Sequence, residues 1–251
     1  MISRFFGAGD EESVSKAIHT SIVVGLLASV FMTVIGVIFT PTFLGWMNIE
    51  PAVMPQSIEY FKYYFLGIST VIMYNILKGI MNAIGDSKRP LYYLITSSLL
   101  NIGLDCLFIG LLGWGVWSAA VATVISQLVS CILCLIHLTK KGHIYTISLR
   151  KLTIQKQAMI LTLKYGLPAG IQNSVISLAN VIVQAQINSF GMMAMAAFGT
   201  HAKIEGFAFL PIMSFTMSIT TFVSQNLGAQ KPERAKKGAT FGILTSVALA
   251  E

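Results

Sequence analysis

Five polar residues, Asn173, Ser177, Asn180, Gln184 and Asn188, recur through an otherwise apolar stretch at i, i+4, i+7, i+11 and i+15. At about 100° per residue they fall within one helical arc of about 80°. Four carboxamides on one face are costly against lipid, so the face is expected to look inward. It serves either hydrogen bonds between helices or the wall of a water-filled cavity that accepts amphipathic cations. Glu205 lies 11 residues after Ala194, about 17 Å into the next helix and close to the midplane of a hydrocarbon core about 30 Å thick. A carboxylate at that depth must be paired or protonated, which makes it a candidate for binding a coupling ion or a cationic substrate. His201 one turn earlier and Lys203 nearby are its candidate partners, a structural His201–Glu205 hydrogen bond being the plainer role. Asp105 follows Pro90 by 15 residues, about 22 Å, with Asn101 one turn away. It is either a structural acid tying helices together or a second ion-binding group.

Other chemistries find no support in the sequence. Gly-Lys never occurs, so the phosphate-binding loop G-x-x-x-x-G-K-[ST] is absent, as is H-E-x-x-H, and no Ser/His/Asp or Cys/His spacing suggests a nucleophile. An enzyme is not expected, and transport would draw on an ion gradient, with H+ or Na+ as the coupling ion and no other cofactor. Cys106, Cys131 and Cys134 lie inside apolar segments, so neither a disulfide framework nor a metal site is expected. Met192, Met193, Met195, Met213 and Met217 cluster in the same region as Glu205, either as ordinary packing residues or as an adaptable drug-binding wall.

The elements that must position these residues are set by composition. The chain has 251 residues, 55% of them hydrophobic and 11% charged, with a mean hydropathy of +0.73; a soluble domain carries about 25% charged residues. An all-α integral membrane protein is expected, a polytopic bundle with spans at about 18 to 39, 60 to 83, 91 to 112, 115 to 138, 160 to 189 and 194 to 222, and a seventh beginning near 239. The uncharged run from Tyr165 to Ala202 is too long for one crossing, so Phe190-Gly191 is read as a turn, and Gly113-Trp114-Gly115 as another. Residues 1 to 16 carry five charges and no apolar core, and are not expected to act as a secretory signal.

Lys and Arg alternate between successive connections. Thirteen of the 17 fall in four segments, around Arg4 and Lys16, Lys88 and Arg89, Lys140 to Lys156, and Lys231 to Lys237, while 40 to 57, 113 to 115 and 190 to 193 have none. The positive-inside rule makes the basic side cytoplasmic. Lys62, Lys78, Lys164 and Lys203 are the other four; snorkelling accounts for Lys62 and Lys164 near span ends and Lys78 about two turns from one, and the net charge of +7 points to membrane orientation rather than nucleic acid. The basic 139 to 157 loop reads as a linker between 1 to 138, the end of an N-terminal lobe, and 158 to 251, the start of a C-terminal one. An internal repeat supports that division. Residues 2 to 18 align with 223 to 239 at an offset of 221, with Ser3/Ser224, Gly7/Gly228, Ala8/Ala229, Glu12/Glu233 and Lys16/Lys237 identical. Parallel repeats of this kind, about an axis along the membrane normal, are a transporter architecture. Two such repeats need about 442 residues, so the sequence is expected to be part of a longer chain.

The segments Gly79-Ile80-Met81-Asn82-Ala83-Ile84-Gly85-Asp86-Ser87-Lys88-Arg89-Pro90, Asn101-Ile102-Gly103-Leu104-Asp105, Gly166-Leu167-Pro168-Ala169-Gly170-Ile171-Gln172-Asn173, Lys203-Ile204-Glu205-Gly206-Phe207-Ala208-Phe209-Leu210-Pro211 and Gln225-Asn226-Leu227-Gly228-Ala229 together resemble the multidrug and toxic compound extrusion (MATE) family. The resemblance runs over essentially the whole chain. It implies twelve spans in two six-helix lobes, of which this chain covers the end of the second span to the start of the ninth. It also implies a secondary antiporter of the bacterial inner membrane, exporting drugs or organic cations in exchange for protons or sodium; the sequence leaves its oligomeric state open, with a monomer expected. A lipid-linked glycan flippase of similar fold is the alternative, disfavoured because it would need a cationic lumen; a non-transporting membrane scaffold is another.

Overall fold

The computed structural model describes residues 1–46, 53–140, 145–148 and 152–250, with only the backbone of 185, 188, 189, 192, 195, 208, 249 and 250. Lys141, Arg150 and Lys151 of the basic linker, part of the 40 to 57 connection, and the side chains of Asn188, Met192 and Met195 lie outside the described residues. The described chain is helical: α1 (Ile2–Gly7), α2 (Glu11–Trp46), α3 (Met54–Leu66), α4 (Ile68–Ala83), α5 (Lys88–Asp105), α6 (Trp117–Leu138), α7 (Lys156–Ser189), α8 (Met192–Gly228) and α9 (Pro232–Ala250). Five helices are long and apolar enough to cross a membrane, or six if α3 and α4 form one bent span. These are the six expected spans. The chain divides into two compact units, one of Met1, Ser3–Asp10 and Lys156–Glu251, the other of Ile2 and Glu11–Gln155.

In the second of these units α2 opens with Glu11 and Glu12 in its first turn, where negative charge complements the helix dipole, and Glu12 pairs with Lys16. The expected span at 60 to 83 is broken at Gly67, where α3 and α4 meet at 47°. A Cβ there would collide with Val124 of α6, so only glycine lets α6 pack into the bend. Beyond Asp105, α5 widens into a π-helical turn, Cys106–Leu111, in which the Leu112 N–H reaches back five residues to the Leu107 carbonyl at 2.9 Å. The turn at Gly113, with φ of +64°, follows, and rings of Phe108, Trp114, Trp117 and Tyr63 stack successively at 4.8, 5.5 and 5.1 Å. Small residues then let α5 and α6 approach closely. Ser97 Oγ donates to the Ser126 carbonyl at 2.8 Å, and Ser130 Oγ to that of Tyr93 at 3.0 Å. Tyr74 of α4 donates to the Pro90 carbonyl at 3.2 Å. Leu77, Ile80, Met81 and Leu138 are fully buried around this junction, with Cys131 and Cys134, as expected, buried too; Cys106 is exposed.

The described part of the linker lies against α2. His19 Nε2 accepts the Ser148 N–H at 3.0 Å while its Nδ1–H donates to the Ser15 carbonyl at 2.7 Å. Thr20 Oγ1 accepts the Gln155 N–H at 3.2 Å. Where α4 turns into α5, Arg89 donates to Asp86 at 2.7 Å and to His137 Nε2 at 3.3 Å.

In the other unit α7 and α8 are joined at Phe190-Gly191, where Gly191 has φ of +92°, the turn the sequence predicts. Both helices continue through an internal proline, Pro168 and Pro211. α9 packs on α8 through Gly238 and Gly242, whose missing Cβ atoms make room for Phe222 and Ile219, and Arg234 sits over the Phe222 ring at 5.6 Å. The repeat-bearing helix ends match bond for bond. At α1, the N–H groups of Ala8, Gly9 and Asp10 donate to the carbonyls of Arg4, Phe6 and Phe5 at 3.0, 3.1 and 3.1 Å; at α8, those of Ala229, Gln230 and Lys231 donate to Gln225, Leu227 and Asn226 at 2.9, 3.2 and 2.8 Å. The left-handed residue also falls at equivalent positions, Gly9 with φ of +70° and Gln230 with φ of +56°.

Candidate functional site

The strongest polar constellation lies between α5 and α6. Asn101 and Asp105 share a face of α5 one turn apart, and on α6 Thr123, Ser126 and Gln127 fall at i, i+3 and i+4. A cavity of about 170 Å³ opens between them, lined by Ser97, Ser98, Asn101, Ile102, Thr123, Ser126 and Gln127. Asn101 Nδ2, Ser126 Oγ and Gln127 Oε1 are buried there without a hydrogen-bond partner among the described residues, and so is Asp105 Oδ1 one turn along from Asn101. Thr123 Oγ1 donates to the Ala119 carbonyl at 2.9 Å, which leaves its lone pairs for a further donor or a cation.

A buried polar atom left without any partner costs about 1–3 kcal/mol. A polar cavity of this size readily holds ordered water. Its acceptors are carboxamide and hydroxyl oxygens, and the Asp105 carboxylate lies one turn along α5 from Asn101; together they are the oxygen donor types a hard cation takes. Rotating either carboxamide by 180° exchanges its oxygen and nitrogen, so both Asn101 and Gln127 can present an oxygen to the cavity. Asp105 adds a group that takes either a proton or a cation, though not both at once.

The second group of sequence candidates is arranged differently. On α8, His201 Nδ1 stands 3.8 Å from Glu205 Oε2, both side chains being well exposed, 68% and 54%. The predicted neighbours are therefore brought together at ion-pair range, beyond hydrogen-bond range. Lys203 makes no ion pair among the described residues. Asn173, Asn180 and Gln184 are exposed along α7, as are Met193, Met213 and Met217 on α8. Asp105 is thus half-buried, with Oδ1 shielded, whereas Glu205 is well exposed. Ser126, Gln127 and Thr123 are functional candidates that the sequence reading passed over. Their signal was available, since polar residues at 123, 126, 127 and 130 make a helical stripe in an otherwise apolar segment.

The same pattern of helices occurs in known proteins. The chain matches the MatE family over residues 1–107 and 168–250. It is 30% identical over 250 residues to the probable multidrug resistance protein YoeA of Bacillus subtilis (strain 168), an alignment covering 97% of this chain and 54% of that protein. With the multidrug export protein MepA of Staphylococcus saprophyticus it shares 25% identity over 230 residues, 92% of this chain and 51% of that protein. A solved outward-facing structure of a multidrug resistance MATE family transporter superposes with a TM-score of 0.90 at 24% identity, covering 99% of this chain and 55% of that one. The chain spans about half the length of the relatives it matches. With its family match, its multiple apolar helices and its repeat-bearing helix ends, it is a multi-pass membrane protein that belongs to the MatE family, a family of transporters rather than enzymes.

Proposed function

We propose that this chain supplies the ion-coupling part of a secondary antiporter that exports small organic cations in exchange for protons or sodium. The observation that carries the reading is the set of four buried polar atoms, on Asn101, Asp105, Ser126 and Gln127, that have no hydrogen-bond partner among the described residues. Asp105 binds the coupling ion, with Asn101, Thr123, Ser126 and Gln127 completing the oxygen cage, and substrate binding competes with that ion by the usual exchange logic of antiport. Glu205, with His201 one turn away, is the second carboxylate, placed to meet a cationic substrate along the polar face of Asn173, Asn180 and Gln184. Met-rich α8 would lend that face adaptability.

The test is ethidium efflux from a bacterium lacking its own pumps and expressing the gene that contains this chain. Asp105→Asn keeps the shape and removes the titration. It should reduce gradient-driven efflux at least tenfold at equal membrane abundance, and Glu205→Gln should reduce it with a change in substrate preference. Wild-type rate and wild-type pH and sodium dependence in Asp105→Asn would sink the reading.

In the bacterial plasma membrane the basic linker faces the cytoplasm, following the Lys/Arg asymmetry. A single cysteine at Tyr145 in a cysteine-free background should resist an impermeant maleimide applied to intact cells, and one at Asn48 should react. Labelling of position 145 from outside would reverse the orientation.

A further inference from the structure

The helix ends that carry the internal repeat touch through their backbones. A Cβ on Gly7 would fall on the carbonyl group of Gln225, and one on Gly228 on the carbonyl group of Arg4, with the Ala8 nitrogen 3.1 Å away. Adding 221 to Gly7 and Arg4 gives Gly228 and Gln225. The two contacts are therefore one contact made twice, residue i on j and j on i, as a two-fold axis between the repeat copies requires. This gives the Gly7/Gly228 identity a physical reason: only a residue without a Cβ admits the opposing carbonyl.

We propose that this glycine seam closes the transporter on its basic side, forming when that face is shut and parting when it opens. The inference rests on the transport reading above and deepens it by naming the closure. At both glycines the seam joins backbone to backbone. Both carbonyls are already bonded within their own helices, Arg4 O by the Ala8 N–H at 3.0 Å and Gln225 O by the Ala229 N–H at 2.9 Å, so parting leaves no acceptor unsatisfied. What is lost is the close approach of each glycine to the opposing carbonyl. A contact that is specific in geometry and cheap to break suits a two-state closure. A half-open cavity of about 750 Å³ borders the seam, with Arg4 and Phe5 from one repeat end and Leu227, Gly228 and Gln230 from the other on its walls. Water therefore has a place beside the seam to enter when it parts.

The experiment places nitroxide labels at Ala8→Cys and Lys231→Cys, two exposed positions on either side of the seam, in the full chain with Cys106, Cys131 and Cys134 replaced by serine. Distances are read by pulsed electron–electron resonance in lipid nanodiscs. Gly7→Ala and Gly228→Ala, singly and together, should lengthen the mean distance by about 2 Å, enough to relieve the overlap. Gly79→Ala, whose Cβ meets nothing within 4 Å, should leave it unchanged. Unchanged distances in the seam variants overturn the proposal. A second readout needs no substitution at the glycines: with both retained, changes of pH, sodium or ethidium should add a longer-distance population, and a distribution indifferent to all three also overturns it. Because distance is measured without transport, unchanged distances in a protein that exports ethidium refute the seam alone. Altered distances in one that exports nothing refute the transport reading alone.

Discussion

Four buried polar atoms without partners among the described residues amount, if left dry, to a penalty on the order of several kcal/mol, a large fraction of the stability of a typical domain. A bundle helix has a cheaper alternative at every one of these positions, an aliphatic residue, and keeping polar groups there is what supports the proposed ion site. Asn101, Ser126 and Gln127 line the cavity, and Asp105 lies one turn along α5 from Asn101 with Oδ1 buried. At this scale the sequence was half legible. Asp105 with Asn101 could be found because an acid inside an apolar span is conspicuous, and His201 with Glu205 because i, i+4 spacing brings them to one face; the structure sets that pair 3.8 Å apart. The α6 wall was harder to see. Hydroxyls and a carboxamide in an apolar helix usually bond back to their own backbone, as Thr123 does, and whether Ser126 and Gln127 do so is decided by what α5 places opposite them.

Among the elements, the apolar runs and their glycine and proline punctuation located six spans and both tight reversals at Gly113 and Gly191, since the bilayer admits little else. The bend at Gly67 and the π-helical turn at Cys106–Leu111 escaped notice for a common reason: each is set by tertiary packing rather than local preference. Gly67 sits in a run that reads as ordinary helix, and only the approach of Val124 makes its missing Cβ necessary. Gly67→Val should therefore force α6 away from the α3–α4 bend and lower the thermal midpoint of the purified chain in detergent by several degrees, about 1–3 kcal/mol of overpacking. Gly103→Val, which has open space around it, controls for helix propensity and should cost well under half as much. Equal losses for the two would mean that the bend does not depend on that contact. The π turn begins at the residue after Asp105 and re-aims the helix that carries it, a common device beside functional groups.

For the whole molecule, an offset of 221 residues joins a weak sequence repeat to matching caps and a reciprocal backbone contact, which five identities alone could not establish. Parallel repeats, a family match over most of the chain and a polar cage between apolar helices lead to one central claim, that Asp105 exchanges a proton for a cation. The most direct measurement is proton release from the purified chain in weakly buffered micelles, followed with a pH-sensitive dye as sodium or ethidium is added. Wild-type protein should release protons saturably, up to about one per chain, since a bound cation favours the ionised carboxylate. Asp105→Asn should release none while Glu205→Gln retains the sodium-driven release. Proton release from Asp105→Asn equal to that of the wild type would contradict the claim.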